Sequence, residues 1–154
     1  YRADMSLPEI RRVTVEEVLP LRSEVLRGGG PLERALLPGD EDGLGVHWGV
    51  WLGGLLVACV SLYEVTSDSG GRSTQLRGMA TAPGLRSQGL GGALLEAAIR
   101  AWEGSDGAAR PLWCNARIRA VPFYERHRFV GEGEPFEIPG VGEHLRMTYL
   151  GSRP

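Results

Sequence analysis

The sequence predicts a mixed α/β domain built on one sheet, and three observations carry that prediction. The chain has 154 residues, 42% of them hydrophobic, which suits one domain that buries roughly two-thirds of its surface without a disulfide or metal staple. Short β-rich runs bounded by glycine and proline recur along it. Between them, Leu94, Leu95, Ala98, Ile99 and Trp102 repeat at helical spacing, the apolar stripe of a helix that packs on a sheet.

Taken in order, Ile10 to Val15 reads as a first strand. Glu16 and Glu17 suit the start of a helix, whose dipole favours acids at that end. The helix runs to about Arg27, with Pro20 tolerated near its first turns, and Gly28 to Gly30 stop it. Pro31 to Gly43 mixes acidic and turn-forming residues with Leu32, Leu36 and Leu37, as a long loop or a short second helix would. Gly45 to Leu52 and Leu55 to Val65 form a hairpin turning at Gly53-Gly54. A polar turn over Thr66 to Thr74 precedes a fourth strand, Gln75 to Ala82, which Pro83-Gly84 ends. The amphipathic helix follows and closes at Gly104 to Gly107. Leu112 to Ala116 is a short apolar strand, and Arg119 to His127 a helix in which Pro122 belongs to the first turn. Phe129 to Gly133 and His144 to Leu150 are the last two strands, separated by a turn-rich stretch with Pro135, Pro139, Gly140 and Gly142. Residues 1–154 read as one domain, with 1–9 a loose N-terminal tail and Met5 a candidate initiator.

Composition excludes several functions. All 17 basic residues are arginine, so a phosphate-loop lysine, a kinase strand lysine and Schiff-base chemistry are ruled out. A net charge of −2 with scattered arginines leaves no basic stripe for nucleic acid. His47, His127, His144, Cys59 and Cys114 lack metal-ligand spacing, so no metal is expected. Both cysteines lie in apolar runs, as buried free thiols of a reducing compartment do. The uncharged stretch from Trp48 to Tyr63 is shorter than the ~20 residues a membrane span needs, and Tyr1 to Val13 has no signal-type apolar core. A cytoplasmic protein with no membrane partner is the expectation.

The segment that carries chemistry is a strand, then Arg86-x-x-Gly89-x-Gly91-Gly92, then a helix. The first amides of a helix lack internal partners and sit at the positive end of its dipole. Glycines let a phosphate approach that backbone, and Arg86 can pair with its charge, so a pyrophosphate suits the loop. The pattern is weak alone, because 23 of the 154 residues are glycine, about twice the average share of ~7%. It is not a dinucleotide fingerprint, since Leu94 stands at the third glycine position.

Two stretches raise its meaning. Gln75-Leu76-Arg77-Gly78-Met79-Ala80-Thr81-Ala82-Pro83 with the Arg86 loop resembles the acyl-CoA-binding motif of the GNAT superfamily of N-acetyltransferases. Leu112-Trp113-Cys114-Asn115, then Ala120-x-x-Phe123-Tyr124-Glu125 and Phe129, is similar to that family's fifth strand and following helix. The resemblance implies a mostly antiparallel central sheet of about seven strands flanked by helices, with the fourth and fifth strands splayed. It implies an enzyme that moves an acetyl group from acetyl-CoA to an amine of a small molecule or peptide by direct attack. Backbone groups of Met79, Ala80 and Thr81 would bond the pantetheine arm. Amides of Arg86, Ser87, Gln88, Gly89, Leu90, Gly91 and Gly92 would hold the pyrophosphate, and Asn115 would complete the cofactor site where the strands splay to admit the thioester. Tyr124 matches the general acid that protonates the leaving thiolate.

The match has gaps. Gln75 stands where histone-modifying members carry a glutamate base. Arg128 replaces a glycine, and Arg117 an asparagine. The Glu137 to His144 segment resembles a subgroup of small bacterial acetyltransferases, which makes His144 the candidate base. Glu64 and Asp68 are candidates to line the acceptor cleft, though acids near a turn are more often solvated. Asp40, Asp42 and the glutamates of the first helix, the Pro31 to Gly43 stretch and the last hairpin would favour a cationic amine. His47 reads as a structural histidine, and Trp48, Trp51 and Trp113 as core. The departures keep open a second class of function, a non-catalytic acyl-CoA sensor. A homodimer through the last strands is a further expectation.

Overall fold

The computed structural model describes residues 7–151. Seven strands form one sheet: Glu9–Val13 (β1), Gly45–Leu52 (β2), Leu55–Thr66 (β3), Arg72–Thr81 (β4), Leu112–Arg117 (β5), Phe129–Ile138 (β6) and Gly142–Tyr149 (β7). Their spatial order is β1-β2-β3-β4-β5-β7-β6. Every pairing is antiparallel except β4 with β5, so the mixed, mostly antiparallel sheet expected from the sequence is what forms. Three α-helices flank it: Val15–Leu26 (α1), Leu90–Glu103 (α2) and Val121–Arg126 (α3).

The two faces have separate cores. Along β3, Ala58, Val60 and Leu62 alternate with Cys59, and the alternation sends them to opposite sides of the sheet. One side receives α2, whose Leu94, Leu95, Ala98 and Ile99 pack with Leu76, Leu112, Cys114 and Met147; Tyr124 of α3 joins the same cluster. The other side receives α1, whose Val18 and Leu21 pack on Val13, Cys59 and Ala80. Both cysteines are buried and free. Burial pushes each thiol up to about 12, so neither is a nucleophile at neutral pH.

Several boundaries differ from the expectation, each for a local reason. The first strand ends at Val13 because Thr14 caps α1. Its hydroxyl accepts from the Glu17 amide at 3.1 Å, and the Glu17 carboxylate accepts from the Thr14 amide at 2.9 Å, a capping box that stabilises the helix by about 1 kcal/mol. Pro20 lies inside α1 on its exposed side, where water can take the carbonyl it leaves unpaired. Pro31 to Gly43 is a long connection with a 3-10 turn at Leu32–Ala35. β4 begins at Arg72, three residues early. β6 does not stop at Gly133 but continues to Ile138. Its register shifts between Glu132 and Phe136, and this irregularity on an edge strand accommodates Pro135. Of the expected loose tail, Glu9 falls in a strand, where it pairs with Trp51; residues 1–6 lie outside the described residues. Trp48, Trp51 and Trp113 are half-buried rather than fully in the core.

Candidate active site

β4 and β5 are neighbours for three residue pairs only: Thr74 with Leu112, Gln75 with Trp113, and Leu76 with Cys114. Beyond Leu76, β4 continues along β3 to Thr81, and beyond Cys114, β5 continues along β7 to Arg117. The two strands therefore part, as the splay implied. A cleft of about 540 Å³ opens between them, with Gln75 to Met79 on one wall and Cys114 to Arg117 on the other. A second cleft of about 810 Å³ runs past Met79, Ala80 and Thr81 to the start of α2. The two share Met79, Ala120 and Phe123, so they form one continuous groove.

A bulge at the centre of β4 sets the walls. Gly78 and Met79 together oppose Val60, because Arg77 pairs with Ser61 and Ala80 with Cys59. Gly78 has φ +67°, and a Cβ there would lie 3.0 Å from Arg22 Nε. Glycine is needed for both reasons. The extra residue turns Met79 toward the α2 side and leaves Gln75 and Arg77 on the α1 side.

At the head of α2, Gly89 is the N-cap in a left-handed conformation with φ +81°, and no side chain caps the helix. The first-turn amides of Leu90, Gly91 and Gly92 are thereby left for a ligand. Ser87 also has positive φ, +67°, strain that a binding loop can hold. A Cβ on Gly91 would meet Met79 Cε and Thr81 Oγ1 at 3.3 Å, and one on Gly92 would meet His127 Nε2 at 3.0 Å. Gly89 thus serves conformation, while Gly91 and Gly92 serve close approach. Arg86, Ser87, Gly89, Leu90, Gly91 and Gly92 all line the second cleft; Gln88 is exposed and does not.

Arg119, Arg126 and His127 line the same cleft opposite the loop, and His127 Nδ1 lies 3.2 Å from Glu96. The sequence reading missed these three. Their spacing with Ala120 and Phe123 is the signal that could have found them, since residues three, four and seven apart share one helical face.

Tyr124 and His144 both line the first cleft. Tyr124 is 5% exposed, and its ring is held edge-on by Phe123 and Phe129 at centroid distances of 5.2 and 5.3 Å. Burial, with a smaller contribution from Cys114, raises its phenol well above the usual value of 10, which keeps it a proton donor at neutral pH. His144 pairs with Arg117 across β5 and β7 and so shares the α1 side with it. Its Nδ1 lies 2.8 Å from the Gly142 carbonyl; a carbonyl can only accept, so Nδ1 carries the hydrogen and the Nε2 of the neutral ring keeps a lone pair. Asn115 is half-buried in the cleft wall.

The acidic candidates do not reach the groove as expected. Asp40 is buried, with Oδ2 2.7 Å from Arg22 Nη1 and Oδ1 2.5 Å from the Tyr63 hydroxyl. Asp42 and Asp68 are exposed and outside both clefts. Glu64 pairs with Arg72 and Arg110 on the surface. Among the described residues no aspartate or glutamate lines the first cleft, so the expectation of a cationic amine is not supported. Gln75 accepts from Arg77 Nη2 at 2.6 Å. Arg128 has φ +71°, the left-handed conformation for which the glycine it replaces is suited. His47 is structural, with Nδ1 2.6 Å from Ser61 Oγ in a buried cluster. Among the described residues no group of three or more His, Cys, Asp and Glu could hold a metal, and no helix is long and apolar enough to cross a membrane.

The sheet parts after its fourth strand and the head of the next helix presents open amides to the groove, the arrangement that the resemblance implied. The chain belongs to the acetyltransferase (GNAT) family, whose model matches residues 16–129. It is 30% identical over 141 residues to YitI of Bacillus subtilis (strain 168), an uncharacterised N-acetyltransferase, covering 90% of this chain and 93% of that one. Among solved structures it resembles an acyl-CoA N-acyltransferase from Pseudomonas aeruginosa, with TM-score 0.70 and 22% identity over 93% of this chain and 99% of that one. It also resembles a Clostridium acetobutylicum acetyltransferase solved with acetyl-CoA, with TM-score 0.66 and 17% identity over 86% and 96% of the two chains. The family assignment makes the protein an acetyl-CoA-dependent acyltransferase.

Proposed function

We propose that the protein transfers the acetyl group of acetyl-CoA to the amine of a small molecule or peptide by direct attack. The observation that carries this reading is the end of pairing at Leu76 and Cys114, which opens one groove from the α2 amides to Tyr124 and His144. Acetyl-CoA supplies the activated thioester. Met79, Ala80 and Thr81 offer backbone groups to its pantetheine arm where β5 has left β4. The loop from Arg86 to Gly92 takes the pyrophosphate on amides at the positive end of α2, with Arg119 and Arg126 facing it.

The acceptor enters from the α1 side, where Gln75, Asn115 and His144 lie. His144 Nε2 takes a proton from the amine, freeing the nitrogen lone pair to attack the carbonyl carbon. A C–N bond forms and the C–S bond breaks. Tyr124 gives its hydroxyl proton to the departing sulfur, the second proton of the attacking nitrogen passes to the resulting Tyr124 phenolate as the amide forms, and His144 releases its proton to solvent. The products are the acetylated amine and free CoA. Holding amine and thioester together supplies much of the acceleration.

Thermal unfolding with saturating acetyl-CoA, against ATP and NAD, tests the reading. A ligand at a hundred times its Kd adds about 2.7 kcal/mol, a rise of roughly 5–10 °C at this chain length. Thiol release that requires an added amine then shows transfer. No rise at millimolar acetyl-CoA overturns the proposal.

A further inference from the structure

Among the described residues, the α1-side mouth of the first cleft carries three arginines, Arg27, Arg77 and Arg117, and no carboxylate. None of the three takes part in an ion pair among the described residues. Each is held by neutral oxygens. Arg27 Nε donates to the Arg34 carbonyl at 3.2 Å, and Arg117 Nη2 to the Leu26 carbonyl at 3.3 Å. Arg77 donates to the Pro38 carbonyl at 3.0 Å and to Gln75 Oε1 at 2.6 Å. A guanidinium has five N–H donors, so most of these remain available. Arg77 and Arg117 are half-buried, where an unpaired charge costs more than in water. The charge of Arg117 is further opposed by its neighbours Arg27 and Arg119. Arg77 lies 5.2 Å from the centroid of the Tyr63 ring and feels the buried Asp40 carboxylate, but that carboxylate is already paired with Arg22. Like charges gathered at a cleft mouth without ion pairs of their own are what an anionic ligand relieves.

Resting on the acetyltransferase reading above, we propose that the acceptor is an amine that also bears an acidic group, a carboxylate or a phosphate. Arg27, Arg77 and Arg117 hold that group at the mouth while the nitrogen points to His144. Their role is recognition; the bond-making atoms lie deeper, between β4 and β5. Planar forked donors suit both anions, and the two arms of the assay distinguish carboxylate from phosphate.

The test uses matched pairs of amines. Amino acids against their carboxamides form one arm, and O-phosphoethanolamine against ethanolamine the other, with putrescine as the cationic control. Binding is measured by calorimetry on the CoA-saturated protein, which needs no turnover, and transfer by thiol release. Within at least one arm the acid member should exceed its neutral partner at least tenfold in affinity and in kcat/KM. Arg77→Gln and Arg117→Gln should raise its KM tenfold or more with a smaller change in kcat, narrowing the gap to under threefold. Melting curves of both variants with and without acetyl-CoA show whether they fold and keep the donor site. Preference for the neutral members or putrescine overturns the proposal. So does a loss of acetyl-CoA affinity in the variants, which would assign these arginines to the donor. Failure of acetyl-CoA to stabilise the wild type would instead sink the acetyltransferase reading itself.

Discussion

Tyr124 and His144 reach one cleft from opposite sides of the sheet. Tyr124 stands on α3 within the α2-side core, and His144 on β7 shares the α1 side with Arg117. They can meet only because β4 and β5 stop pairing at Leu76 and Cys114; a continuous sheet would wall them apart. The arrangement gives the acid to the donor side and the base to the acceptor side, so the two variants should fail in different ways.

Tyr124→Phe removes the acid and little else. The ring packing against Phe123 and Phe129 is kept, and no hydrogen bond to a described residue is lost. The melting temperature should stay within about 4 °C of the wild type, roughly 1 kcal/mol at this chain length, since the packing is kept and no hydrogen-bond partner is stranded. The value of kcat for amine-dependent thiol release should fall about 10²-fold, the lower end for a general acid, with KM for acetyl-CoA nearly unchanged. Activity equal to wild type would remove Tyr124 from the mechanism.

His144→Gln should act through the amine. Loss of a general base lowers kcat/KM about 10²-fold at neutral pH. The deficit should shrink as pH rises toward the acceptor's own pKa, where the amine arrives already deprotonated. Rate profiles of both proteins from pH 6 to 10 check this. A deficit that stays constant across the range would make His144 a packing residue against Phe136, whose ring centroid is 6.1 Å away.

The groove was legible in the sequence because its parts are local. The glycine loop, the Met79 to Thr81 strand and the Phe123-Tyr124 helix each lie within one continuous segment whose spacing fixes a face or a turn. The arginine mouth was not legible, because Arg27, Arg77 and Arg117 come from a helix end and two strands that only the fold brings together. Asp40 was misread for the same reason. An aspartate in an acidic loop looks available to a cationic acceptor, and nothing nearby announces that Arg22 and Tyr63, 18 and 23 positions away, close over it. The length of β6 was lost to Pro135, which reads as a turn unless an edge strand and a register shift are already known.

The buried cluster that resulted makes the last prediction, on acid stability. Burial alone would raise the Asp40 carboxyl, but hydrogen bonds from Arg22, Tyr63 and the Leu37 amide, with the Arg22 charge, hold it below its ordinary 3.8. A carboxyl depressed in the fold contributes stability above its unfolded pKa and loses it as pH falls through the folded one. His47 is also depressed, from 6.5, by burial first and by Arg22 second, against the opposing pull of Asp40. The folded state therefore resists protonating it, and stability declines as pH falls from 6.5 toward its folded value. Melting temperature measured from pH 8 to 3 should fall in two stages, and His47→Gln should flatten the first while leaving the second. Asp40→Ala strands the Arg22 charge and should cost ~3–5 kcal/mol at neutral pH, roughly 10 °C. A paired Arg22→Met/Asp40→Leu variant should recover much of that loss, because two apolar side chains leave no charge unmatched. If Asp40→Ala instead melts within about 2 °C of the wild type, the ion pair does not hold the Pro31 to Gly43 connection against the sheet.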